Sequence, residues 1–130
     1  MIVVDASFLV TALVDDGDDG RRVRRRLREE RLSAPELVDL EVASVLRRHE
    51  HEGRVGADRA RMALSDLRAL RLARAAHRPL LPRCWELRRN LTVYEAAYVA
   101  LAELLGVPLV TADGRLARAP GVRCTIELFR

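Results

Sequence analysis

Apolar residues follow two rhythms along this chain, short unbroken runs and a three-to-four spacing, and the two alternate. IVV runs into Asp5 and PLVTA runs into Asp113, both rich in β-branched residues and both ending on an acid. They predict buried strands over 2–5 and 107–113. VRCTIEL (122–128) predicts a final strand and RLARA (71–75) a short one. Helical spacing fills the intervals. SFLVTALV (7–14) predicts a helix capped near Ser7. RRVRRRLREER (21–31) sets Val23 and Leu27 on a thin apolar stripe amid charge. The stretch 31–53 predicts a long helix that opens near Pro35 and stops by Gly53. GADRARMALSDLRAL (56–70) predicts another, with Met62, Leu64, Leu67 and Leu70 facing inward. PLLPRCWELRRN (79–90) reads as a turn and short helix. LTVYEAAYVALAELLG (91–106) is the clearest helix, ended by Gly106. GRLARAPG (114–121) reads as a short helix and turn, and DDGDDG (15–20) as a loop.

Strands separated by helices imply an α/β fold, a parallel sheet with helices on both faces. No repeat, low-complexity tract or compositional break divides the 130 residues, so a single domain over 1–130 is expected. No apolar run approaches the roughly 20 residues needed to span a bilayer, and no basic leader precedes the apolar start. The expectation is a cytoplasmic protein with no membrane segment.

Composition changes this picture in two places. All 23 basic residues are arginine, which excludes chemistry that needs a lysine: a P-loop, a Schiff base, a haloacid-dehalogenase-type phosphatase or a receiver domain. The net charge of +4 favours a polyanionic partner. The arginines of 21–31 either touch phosphates or form a solvated face with Arg–Glu pairs. Cys84 and Cys124 form no C-x-x-C and read as reduced packing thiols. His49, His51 and His77 show no ligand spacing tied to the acids and read as solvated or capping residues.

The acids carry the chemistry. In an open parallel sheet, ligands bind beyond the carboxyl ends of the strands at the switch point. Asp5 and Asp113 both point there, with the hydroxyls of Ser7 and Thr111 alongside. Two carboxylates brought close repel each other, and a divalent cation is the usual remedy. Glu41 lies between Leu37 and Val45 at four-residue spacing, so it is paired, liganding or at a rim. Asp39 and Glu36 compete for that role, although the helix dipole accounts for Glu36. Glu95 has two readings: a ligand, or the closing glutamate of the capping box Thr92-Val-Tyr-Glu95. Hard oxygen donors without a histidine or cysteine cluster suit Mg²⁺ or Mn²⁺ rather than zinc. A calcium loop opening at Asp15 is excluded, because its third and twelfth positions hold Gly17 and Arg26. A basic protein with an acidic metal pocket points to cleavage or transfer at phosphodiesters.

Four stretches now stand together in order: IVVDASFLV (2–10), APELVDLEVASVLRR (34–48), LTVYEAAYVALAELLG (91–106) and PLVTADGRLARAPG (108–121). From Met1 to about Gly121 they resemble the PIN-domain family, specifically the VapC-type toxins of bacterial toxin–antitoxin pairs. The resemblance implies a three-layer fold with a central, mostly parallel sheet flanked by helices. It implies a Mg²⁺- or Mn²⁺-dependent endoribonuclease that leaves a 3′-hydroxyl and a 5′-phosphate. It further implies a homodimer and a small antitoxin that blocks the acidic cleft, with grooves around residues 7–14 and 36–52 as the docking region. Asp5 matches the family's first acid, Glu41 the second and Asp113 the last. Glu95 stands where the family usually has aspartate. Ser7 and Thr111 match small hydroxyl positions near the metal, and Asn90 is a possible neighbour. Glu95 carries one methylene more than aspartate, a shift of about 1.5 Å in its carboxylate, on the scale that catalysis senses. Arg89 and Arg115 are candidates for gripping the RNA backbone. The rival reading is a non-catalytic RNA- or protein-binding module with a degenerate acidic site, in which Glu95 serves only as a helix cap.

Overall fold

The computed structural model describes residues 1–129. Its elements in chain order are β1 (Ile2–Val4), α1 (Ala6–Val14), α2 (Asp18–Arg28), β2 (Leu32–Pro35), α3 (Val38–His51), α4 (Ala57–Ala69) and β3 (Leu72–Ala75). A 3₁₀ turn (Arg78–Leu80) then leads to α5 (Leu81–Glu86), α6 (Val93–Leu105), β4 (Leu109–Thr111), α7 (Gly114–Ala117) and β5 (Ile126–Leu128).

The strands form one parallel sheet in the order β3-β2-β1-β4-β5. β1 is central, with Val3 opposite Ser33 on one side and Leu109 on the other. The chain builds outward from β1 to β3, crosses back, and builds the other half from β4 to β5. Right-handed crossovers therefore send the helices to opposite faces of the sheet. Helices α1 to α4 pack together as one set, while α5 packs on α6, which lies against β1, β2 and β4. Val3, Val4, Leu109 and Val110 are wholly buried between these layers, which is why their runs are unbroken.

Several local expectations change. The long helix expected from Pro35 is preceded by a strand, β2, whose four residues are all buried. It exists because β1 and β3 pair with it from both sides, a cause that its own four residues do not display. The expected loop at 15–20 shrinks, because α2 already begins at Asp18, where Asp18 and Asp19 complement the positive end of the helix. Gly20 permits this close start: a Cβ there would lie 1.9 Å from the Asp15 carbonyl oxygen. Arg24 then caps the end of α1, donating to the carbonyls of Ala12 (3.0 Å) and Asp15 (2.7 Å). On α4 the buried residues are Ala60, Ala63 and Leu67, whereas Met62 and Leu64 are exposed. The last helix turn of α6 ends at Gly106, whose φ of 67° is left-handed. Both cysteines are free thiols, and His77 Nε2 accepts the backbone N–H of Leu37 at 2.9 Å, capping the approach to α3. Among the described residues no helix is long and apolar enough to cross a membrane.

Candidate active site

Asp5 follows β1 directly and is 8% exposed. It, and not Ser7, is the N-cap of α1: its Oδ1 accepts the backbone N–H of Phe8 at 3.0 Å and the Ser7 hydroxyl at 2.8 Å. Its Oδ2 accepts the hydroxyl of the fully buried Thr111. The sheet register explains that contact. Val4 pairs with Val110, so the next position on β4 stands beside Asp5. Three neutral donors satisfy this carboxylate and none neutralises it. Burial therefore pushes its pKa up despite the three hydrogen bonds, and the charge of Asp113 pushes the same way.

Asp113 lies two residues beyond β4 and caps α7, its Oδ1 accepting the Arg115 backbone N–H at 2.9 Å. Its own backbone N–H donates to the Thr111 Oγ1 at 3.0 Å. Thr111 thus links the two acids through one oxygen. Glu41, in the first turn of α3, is partly buried and accepts the hydroxyl of Tyr98 from α6. Burial raises its pKa, and the charges of Asp5 and Glu95 add to that. Tyr98 is itself 3% exposed, and burial together with Glu41 raises its pKa as well, so it remains a neutral donor. No sequence motif pointed to Tyr98. The available signal was its position three residues after Glu95, on the same face of α6.

Glu95 closes a complete capping box: its Oε1 accepts the Thr92 backbone N–H at 2.9 Å while its own N–H donates to the Thr92 Oγ1 at 3.0 Å. Its Oε2 pairs with the Arg115 guanidinium, which also lies 3.6 Å from Asp113 Oδ2. One carboxylate thus caps its helix and faces the cleft.

Asp5, Ser7, Glu41, Glu95, Tyr98 and Asp113 line one pocket of about 170 Å³ with Ala6 and Leu116. It opens between the carboxyl ends of β1 and β4, where the direction of strand build-up reverses. Larger clefts exist elsewhere among the described residues, and those lined by α1, α2 and α4, by β2 and β3, and by α6 and the approach to β4 contain none of these four acids. The donors are carboxylate and hydroxyl oxygens, the set that hard divalent cations prefer, and Mg²⁺ needs only one or two carboxylates beside water. The residues present therefore fit such an ion. Among the described residues no three His, Cys, Asp or Glu side chains already converge as ligands; each acid turns oxygen toward a protein donor instead.

The remaining candidates lie elsewhere. Asn90 is exposed and donates to the Pro120 carbonyl at 3.3 Å, tying the turn before α6 to the one after α7 rather than lining the pocket. Arg89 is exposed in the same turn. Asp39 is taken by Arg74, which donates to both its oxygens at 2.7 and 3.0 Å. The expected docking region divides. A groove of about 450 Å³ is lined by Leu9, Ala12 and Leu13 of α1 together with residues of α2 and α4, whereas α3 contributes none.

Sequence and fold were also compared with those of known proteins. The PIN domain family model matches residues 2–122. Ribonuclease VapC9 of Mycobacterium tuberculosis is 47% identical over 98% of both chains. Among solved structures, M. tuberculosis VapC20, a toxin that cleaves the sarcin–ricin loop, aligns with a TM-score of 0.69 at 18% identity, covering 90% of this chain and 93% of that one. VapBC2 from Rickettsia felis, bound to a DNA fragment from its promoter, aligns with a TM-score of 0.69 at 14% identity over the whole of both chains.

Proposed function

The chain belongs to the PIN-domain family, and from its kinship with the VapC ribonucleases we propose that it is the ribonuclease toxin of a toxin–antitoxin pair, cutting RNA phosphodiesters at the four-acid pocket. The observation that carries this reading is the meeting of Asp5, Glu41, Glu95 and Asp113 at the switch point of the sheet.

In this reading Asp5 and Asp113 would hold a Mg²⁺ or Mn²⁺ ion, with Glu41 and Glu95 completing the acidic wall. When bound, such an ion acidifies the attacking water and offsets charge developing on the phosphate. The chain's own residues prepare the site. Thr111 and Ser7 fix the rotamer of Asp5 with hydrogen bonds that leave its charge intact. Tyr98 does the same for Glu41. Arg115 flanks the cleft with charge suited to backbone phosphates.

An antitoxin is the partner expected for such a toxin. The groove between α1, α2 and α4 suits it: the partly exposed Leu13, Leu27 and Leu70 offer apolar surface rimmed by Arg28, Arg59 and Asp66. A homodimer belongs to the same reading, and sedimentation of the purified chain would test it.

Cleavage of a broad RNA pool by the antitoxin-free chain, with Mg²⁺ or Mn²⁺ against EDTA, tests the proposal. Metal-dependent cutting that disappears in Asp5→Asn is the expected result. The engagement of both Glu95 oxygens by Thr92 and Arg115 favours one alternative, a binding module that no longer cuts. RNA binding without metal-dependent turnover would establish that alternative.

A further inference from the structure

Four carboxylates around one small pocket call for a positive charge, and Arg115 already supplies one. Its guanidinium bridges Glu95 on α6 and Asp113 at the start of α7, two acids that no backbone hydrogen bond joins. Its backbone N–H is held separately by Asp113 Oδ1. The side chain is 64% exposed, so the guanidinium has room to swing outward while its backbone stays in place. Glu95 keeps its other oxygen on Thr92 when that happens, and the helix cap survives.

We propose that Arg115 is the resident counter-ion of the acidic pocket, which a divalent cation must displace from Glu95 and Asp113 in order to bind. The inference rests on the reading of this pocket as a metal site. Two physical points support it. Arg115 occupies carboxylate oxygens that a hard cation would use, and its charge repels an incoming cation a few ångströms away. An exposed ion pair is also weak enough to open readily. The arrangement keeps the acids compatible with one another in the metal-free chain, at the cost of weaker metal affinity. Glu95 suits this role because its extra methylene lets one oxygen reach back to Thr92 while the other meets Arg115.

Titration of Mn²⁺ into the antitoxin-free chain, followed by the electron paramagnetic resonance signal of free Mn²⁺, tests this without any RNA. Arg115→Gln should bind Mn²⁺ about 1.5- to fivefold more tightly than the parent, the scale that exposed ion pairs of this kind carry. Arg61→Gln removes the same charge from α4, outside the pocket, and should leave affinity unchanged. Circular dichroism melts establish that all three chains are folded. Parent-like affinity in Arg115→Gln would overturn the proposal while leaving the metal site intact. Equal tightening in both variants would overturn it in favour of net charge alone. Absence of Mn²⁺ binding in parent and variant alike would overturn the metal reading itself, and this inference with it.

Discussion

Glu103 and Glu127 carry the same functional group as Asp5 and Glu41, but the fold surrounds the two sets differently. Glu103 is gripped by Arg83 through both oxygens at 2.7 and 3.2 Å and also accepts the Arg123 backbone N–H at 2.7 Å. Burial pushes its pKa up, yet these partners outweigh burial and hold it below the ordinary value. Glu127 on β5 is held low by the Arg26 guanidinium from α2. In the pocket, Asp5 and Glu41 receive hydroxyls and a backbone N–H, and their pKa values rise. Arginine neutralises a carboxylate that ties elements together. Neutral donors orient a carboxylate while leaving its charge for something else. Glu95 and Asp113 fall between the sets, because their arginine is an exposed one.

The sharpest way to break this contrast is Asp5→Asn. Asparagine remains a good N-cap acceptor and removes a desolvated charge, so melting temperature should equal or exceed that of the parent. RNA cleavage should fall by at least about a hundredfold, the upper end of what even outer-sphere metal contacts are worth. A clear drop in melting temperature would instead put Asp5 with the structural carboxylates. Arg83→Ala should do the reverse. It strands Glu103 and frees α5 from α6 and from the Gly121 carbonyl, costing about 1.5–3 kcal/mol in urea denaturation.

Glu95→Gln separates two duties of one side chain. Glutamine serves a capping box as well as glutamate does, so stability should stay within about 0.5 kcal/mol. Metal-dependent cleavage should drop by about tenfold as the pocket loses a charge. The smallest effect belongs to Glu127→Gln, about 0.2–1 kcal/mol for a half-exposed pair. Its sign is fixed by the lowered pKa. The stabilisation is present above the ordinary value of 4.5 and is lost as pH falls through the folded-state value. Melting curves of parent and variant should therefore differ at neutral pH and converge in acid.

Much of the fold, but not the arginine pairing of Glu103 and Glu127, was legible in the sequence. The two acid-ended runs gave β1 and β4, and helical spacing gave the flanking layers. Thr92-Val-Tyr-Glu95 announced its capping box, because that motif is local. What depended on remote pairing stayed hidden. Leu32–Pro35 carries no strand rhythm and is a strand only because β1 and β3 clasp it. The inward face of α4 uses Ala60 and Ala63, small residues that a search for large apolar side chains passes over in favour of the exposed Met62 and Leu64. Tyr98 and the Arg115 bridge arise from contacts between elements, so spacing could mark them only as neighbours of an acid.

The hydroxyl that holds Asp5 comes from a residue 106 positions later in the chain. On a ribosome adding about 5 to 20 residues per second, the first acid is made roughly 5 to 20 seconds before the threonine that orients it. Asp113 emerges later still, and β4 must slide in beside β1 before the pocket exists. A chain that stops short of β4 therefore lacks both Asp113 and the threonine that orients Asp5. The order of strands along the chain makes completion of the acidic pocket one of the last events of synthesis.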